Sequence, residues 1–192
     1  LAQHALPESG RPAYAIGIAR TESGGINVGN FLSFTGTVMQ IEDISIGQHE
    51  ESDCYKRFTV VQGPDQVVNF TVAPTTYFVD YAVIGIGDTI TGFYDADAPA
   101  ILIYPPQYNA LVISKETPGQ FVTVSQFNEQ LISSDGSLQL ILADDTPIVL
   151  PNGQPFNGSL ANRDLIVTYG RTTRSIPAQT TPSQIVVLCR HS

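Results

Sequence analysis

The chain is 192 residues long, 42% hydrophobic and 14% charged, with a formal net charge of −9. That length allows one large or two small domains with a buried core, and an acidic balance without a basic stripe argues against nucleic acid, whose phosphates bind through cations. No run approaches the ~20 apolar residues that span a bilayer, so no membrane span is expected.

Taken in order, residues 1–11 form a polar tail, 12–18 a short apolar stretch, and 21–30 a segment rich in Gly and Ser. Residues 1–30 therefore form an extended N-terminal lead. A first β unit is expected over 31–116 and a second, shorter one over 117–192. The chain starts at Leu1 and not at a methionine, from which an already removed leader is expected.

No stretch sustains a helical period over more than two turns. Short runs of Val, Ile, Phe, Thr and Tyr between turn residues predict strands instead. In the first unit these are 31–41, 55–62, 66–72, 88–94 and 108–114. In the second they are 121–132, 137–142, 165–169 and 184–189. Gly63-Pro64-Asp65 and Ser134-Asp135-Gly136 have the composition of hairpin turns. The fold class is all-β.

An internal repeat organises these strands. Val67-Val68-Asn69-Phe70-Thr71-Val72-Ala73 aligns with Ser137-Leu138-Gln139-Leu140-Ile141-Leu142-Ala143. Thr76 and Val79 follow in one copy, Thr146 and Val149 in the other. Asp88-Thr89-Ile90-Thr91-Gly92-Phe93 then matches Asp164-Leu165-Ile166-Val167-Thr168-Tyr169. Pro99-Ala100 answers Pro177-Ala178, and Pro105-Pro106-Gln107 answers Thr181-Pro182-Ser183. The alignment predicts equivalent inward places for Phe70 and Leu140, and for Ile90 and Ile166. The second copy lacks a counterpart to residues 45–54.

The order of a long strand, a hairpin, a Gly-Asp step, a strand, a proline-rich loop and a closing strand resembles the OB-fold, a five-stranded Greek-key barrel. The expected architecture is two tandem, diverged OB-like β-barrel units. The phrases Thr91-Gly92-Phe93-Tyr94-Asp95-Ala96-Asp97-Ala98-Pro99 and Ser175-Ile176-Pro177-Ala178-Gln179-Thr180-Thr181-Pro182 are similar to an uncharacterised family of small β-proteins from spore-forming anaerobic bacteria. That resemblance covers most of 31–188. It implies an extracellular setting and no established activity.

Candidate chemistry is sparse. His4 and His191 lie at the chain ends, and His49 with Asp53 and Cys54 makes an incomplete metal set. Asp88, Asp95 and Asp97 lack the Gly and distal Glu of a calcium loop, and Asp144-Asp145 is no stronger; turns account for all of them. No metal and no cofactor are expected. Glu50-Glu51 has no apolar setting to raise a pKa, and no nucleophile motif or phosphate loop occurs. An enzyme is not expected.

Tyr94, Tyr104 and Tyr108, beside Phe93, are the candidate aromatic contact loop, since exposed aromatics favour interfaces. Cys54 and Cys189 are candidates for a disulfide within one chain, preferred slightly over one between chains. Such a bridge would be worth about 4–5 kcal/mol in the chain-entropy model.

A charged fraction below the usual ~25% leaves a surface that repels its own copies weakly. The expected role is a structural subunit of an extracellular filament or surface layer, at the cell or spore surface. Its partners would be copies of itself, and a small-molecule ligand is not expected. Tyr14, Ile16, Ile18, Ile26 and Val28 of the lead would add as a strand to a neighbour's open sheet edge. The alternative is a secreted monomeric module binding a carbohydrate or peptide.

Overall fold

The computed structural model describes residues 30–46 and 54–189. The fold is all-β. Strand β1 (Phe31–Ile44) leads into β2 (Tyr55–Gln62) and β3 (Gln66–Val72) as an antiparallel meander. In β3 the side chains alternate, with Val68, Phe70 and Val72 buried and the residues between them only partly so. That alternation is what a sheet with one covered face requires. The turn between β2 and β3 places Gly63 at φ +59°, the left-handed region glycine enters freely.

β1 serves two partners. Its residues 37–44 pair with β2, with an irregularity at Met39, while 31–37 pair antiparallel with β5 (Thr89–Asp95). Gly36 sits where the partner changes. A Cβ there would fall 2.5 Å from the Val61 carbonyl oxygen, so only glycine lets the two strands cross so closely.

β6 (Gln107–Asn109) runs parallel to β3, and β7 (Val112–Lys115), two residues later, pairs antiparallel with β5. At the step between them the Ala110 N–H donates to Thr71 O and the Leu111 N–H donates to Phe93 O. The neighbours β1, β2, β3, β6–β7 and β5 thus close into a ring. One expected strand over 108–114 is in fact two, because the chain changes partner at 110–111. The two-residue β4 (Tyr77–Phe78) lies parallel to β7 and leads into a 3₁₀ turn, Val79–Tyr81.

The second half repeats these pairings. β8 (Phe121–Phe127) pairs antiparallel with β11 (Arg163–Tyr169), which pairs antiparallel with β13 (Gln184–Leu188). β12 (Ala178–Thr180) is parallel to β9 (Leu138–Leu140), and β10 (Ile148–Val149) is parallel to β13. Each partnership has its counterpart in the first half. Even a turn is repeated: Thr76 Oγ1 accepts from the Ala73 N–H as Thr146 Oγ1 does from the Ala143 N–H.

The second copy is less complete. The strand expected over 121–132 stops at Phe127, because Asn128 Oδ1 accepts from the N–H groups of Gln130 and Ile132 and closes a turn. The counterpart of β2 shrinks to isolated bridges, Phe127 with Ser133 and Ile132 with Gln139. At the turn that follows, burial opposes ionisation of Asp135. Bonds from Ser133 and Ser137 outweigh it and hold the carboxyl below its usual range.

Three apolar clusters follow. One fills the first ring, around Phe70, Val60 and Ile90; one fills the second half, around Phe127, Leu165 and Ile185. The third lies between the halves, where Val79, Phe93 and Val112 meet Val124, Ile166 and Val186. Its residues come from layers of the same strand order, β4-β7-β5-β1 and β10-β13-β11-β8. The halves therefore join through equivalent faces.

Phe70 and Leu140 hold equivalent inward places, 0% and 3% exposed. Ile90 and Ile166 do not. Ile90 belongs to the first ring's core and Ile166 to the junction. The inward counterpart of Ile90 is Leu165, since a one-residue slip moves a strand residue to the other face. The proline alignment slips too: Pro105-Pro106 leads into β6 as Pro177 leads into β12.

Candidate functional site

The end of β5 and the start of β6 carry the aromatic residues expected to make contacts. Tyr94 and Tyr108 stack at 3.9 Å with their planes 10° apart, and Phe70 lies behind both. Each spends one ring face on the other, so they form no open stacking platform. Beside them lies a cleft of about 220 Å³, lined by the pair with Asp95, Pro99, Gln107 and Asn109. Tyr104 does not line that cleft and stands 78% exposed.

Burial raises the Tyr94 phenol to about 12, with the Tyr108 hydroxyl adding to the effect. A phenol that ionises later when folded keeps its proton while the unfolded chain loses it. Its stabilising contribution is full below pH 10.0 and is lost as pH rises through about 12. Alkaline unfolding followed by circular dichroism should therefore show a loss across that window, smaller in Tyr94→Phe. An identical profile in the variant would contradict the assignment.

Three successive apolar side chains precede Tyr104 on this loop. Ile101 is 72%, Leu102 100% and Ile103 45% exposed. Sequence reasoning passed over them; the legible signal was an unbroken apolar run between Pro99 and Pro105, with no alternation to bury one side.

The other end of the first ring carries an apolar groove of about 570 Å³. Ile41, Cys54, Phe58, Val72, Phe78 and Ile84 line it, with Lys56 at its edge in an ion pair with Asp43. These residues come from four separate stretches of chain, which no local pattern connects.

Between the halves is a smaller, polar notch. There the Thr91 hydroxyl donates to Glu116 Oε1 at 2.7 Å and accepts from the Thr35 hydroxyl at 2.6 Å. The network satisfies its own members and closes one side of the junction.

The cysteines are not bridged. Cys54 and Cys189 are both free and exposed. The expected staple fails because Cys54 precedes β2, which contributes nothing to the junction, while Cys189 follows β13 in the other half. Among the aspartates, Asp95 Oδ1 accepts from the Asp97 N–H, and Asp88 Oδ2 accepts from the Gly85 N–H and faces Lys115 at 3.0 Å. The Gly85 bond first, then Lys115, holds Asp88 below the usual carboxylate range. Among the described residues no three His, Cys, Asp or Glu side chains come together as metal ligands. No helix there is long and apolar enough to cross a membrane.

Tyr14, Ile16, Ile18, Ile26 and Val28 lie outside the described residues, as do His4, His49, Glu50, Glu51, Asp53 and His191. The chain matches no protein-family model, no curated protein and no solved structure.

Proposed function

We propose that this chain is a non-enzymatic structural subunit of an extracellular filament or surface layer, built of two tandem OB-like units. The closed pairing order of the first ring, with the parallel β3–β6 step, supports the OB-like reading. One observation carries the role: residues 101–104 present four consecutive exposed apolar side chains on a chain that is only 14% charged. Such a patch costs free energy in water and marks a contact with another macromolecule.

In this reading the lead, with Tyr14, Ile16 and Ile18 or Ile26 and Val28, adds as a strand to a neighbour. β8 offers it an edge, since, among the described residues, 121–126 pair on one side only, with β11. Deleting residues 1–29 should leave a folded protein, by circular dichroism, that no longer forms polymers in negative-stain electron microscopy. Unchanged polymers in the truncated protein, or a full-length protein that stays monomeric at high concentration, would overturn the reading.

A second reading has its own observation. The cleft at Tyr94 and Tyr108 combines aromatic rings with the Asp95 carboxylate and the Gln107 and Asn109 amides, which is chemistry suited to a sugar or an extended peptide. It predicts a monomer that binds with or without the lead.

A further inference from the structure

We propose that Asn157 is a site of spontaneous covalent modification, where the side-chain amide closes on the Gly158 nitrogen, loses ammonia and ages to aspartate and isoaspartate. This chemistry needs no second copy and is independent of the assembly reading.

An asparagine followed by glycine is the step most open to such ring closure. Glycine sets no side chain against the attacking nitrogen and leaves the backbone free to turn. The chain has two such steps, Asn152-Gly153 and Asn157-Gly158, and one acidic analogue, Asp135-Gly136. The attacking nitrogen must shed its proton and reach Cγ, so a hydrogen bond on either group opposes the reaction.

Two of the three steps are held. The Gly136 N–H donates to Ser133 O and the Gly153 N–H to Leu150 O, each at 2.8 Å. Both glycines sit at positive φ, +73° and +83°, inside tight turns. Asp135 Oδ1 accepts from the Ser137 N–H at 3.0 Å, and Asn152 Oδ1 from the Gln154 N–H at 3.1 Å.

Asn157-Gly158 has none of this. Both residues are exposed, and among the described residues no hydrogen bond ends on the Asn157 side chain or the Gly158 N–H. The step is an untethered link between fixed neighbours. On one side the Phe156 N–H donates to Ile148 O at 2.9 Å; on the other, Ser159 O accepts from Arg163 Nε at 2.7 Å.

The Gly158 nitrogen forms its new bond to Asn157 Cγ while the bond from Cγ to the side-chain nitrogen breaks. That nitrogen leaves as ammonia, carrying the proton that Gly158 gave up. Water then opens the cyclic imide. Attack at Cγ restores the ordinary backbone as aspartate, and attack at the backbone carbonyl carbon leaves the chain running through Cγ as isoaspartate. Nothing is oxidised or reduced. The product carries one more negative charge, and its isoaspartyl form lengthens the path between Phe156 and Leu160, which both pack in the second core.

Incubating the purified chain in warm, mildly alkaline buffer, followed by peptide mapping with mass spectrometry, tests the site. The peptide holding Asn157 should gain the mass that separates an acid from its amide and split into two chromatographic forms. It should do so roughly tenfold or more ahead of Asn152, because two hydrogen bonds must open before Asn152 reacts. In guanidinium chloride, where the turns are gone, the two rates should converge. Isoelectric focusing of the aged native chain should show an acidic band that Asn157→Gln abolishes, since the longer side chain closes to a larger, slower-forming ring. Asn152 converting as fast as Asn157 in the folded chain, or a gap between them that persists in denaturant, would overturn the assignment. So would an acidic band that survives Asn157→Gln, or a native Asn157 still intact once the denatured chain has lost that amide.

Discussion

Gly92→Ala is expected to destabilise the protein by about 1–3 kcal/mol, the usual range for forcing a carbon into a filled core. A Cβ at Gly92 would lie 2.4 to 2.8 Å from three ring carbons of Phe70. The ring cannot yield easily. Phe70 is 0% exposed, and Tyr94 and Tyr108 flank it at 6.2 and 6.5 Å between centroids. Urea midpoints of Gly92→Ala, Phe70→Leu and the double variant would test the contact, since residues that collide should combine less than additively. Strict additivity would show that Phe70 does not press on β5. Gly158→Ala is the control. Its Cβ would meet the Phe156 ring at 2.6 Å, but that ring is half-exposed under the Arg163 guanidinium and can swing aside.

The strands legible in the sequence were those with sustained period-2 patterning. β2 and β3 were read to the residue, because Phe58, Val60, Val68 and Phe70 alternate with polar or half-exposed neighbours and Gly63 marks the turn. β4, β10 and β12 were not read, since two or three residues carry no period. Their place is set by partners far along the chain. The Ile90–Ile166 slip has a different origin. Leu165, Ile166 and Val167 are all apolar because one face of β11 meets the core and the other meets the junction. A strand buried on both sides gives a continuous apolar run, and such a run cannot show which residue points where. The candidate site divides the same way. The Tyr94–Tyr108 pair was visible as residue types, while the groove needed the ring closure that brings Ile41, Phe58, Val72 and Ile84 together.

Ile166→Asp is expected to make unfolding lose its single cooperative step. Ile166 is 1% exposed, and in its sheet it lies between Val124 and Val186. Its side chain belongs to the cluster formed with Val79, Phe93 and Val112 of the other half. Six buried side chains at about 1.5–3 kcal/mol each put the coupling between halves on the order of 10 kcal/mol before entropy. A carboxylate in that layer has no cation among the cluster's members and costs several kcal/mol while it stays dry. Separating the layers returns it to water without disturbing Leu165 or Val167, which point the other way into the second core. The halves should then unfold independently. Tyrosine fluorescence reports mainly on the first ring, which holds Tyr55, Tyr77, Tyr81, Tyr94, Tyr104 and Tyr108 against Tyr169 alone in the second half. Circular dichroism sees both. The two probes should coincide in the parent protein and diverge in Ile166→Asp. Leu165→Asp should instead unfold the second half outright and, because the junction is lost with it, move the tyrosine transition to lower urea as well. If both probes still coincide in Ile166→Asp, merely at lower urea, the junction is not what couples the halves.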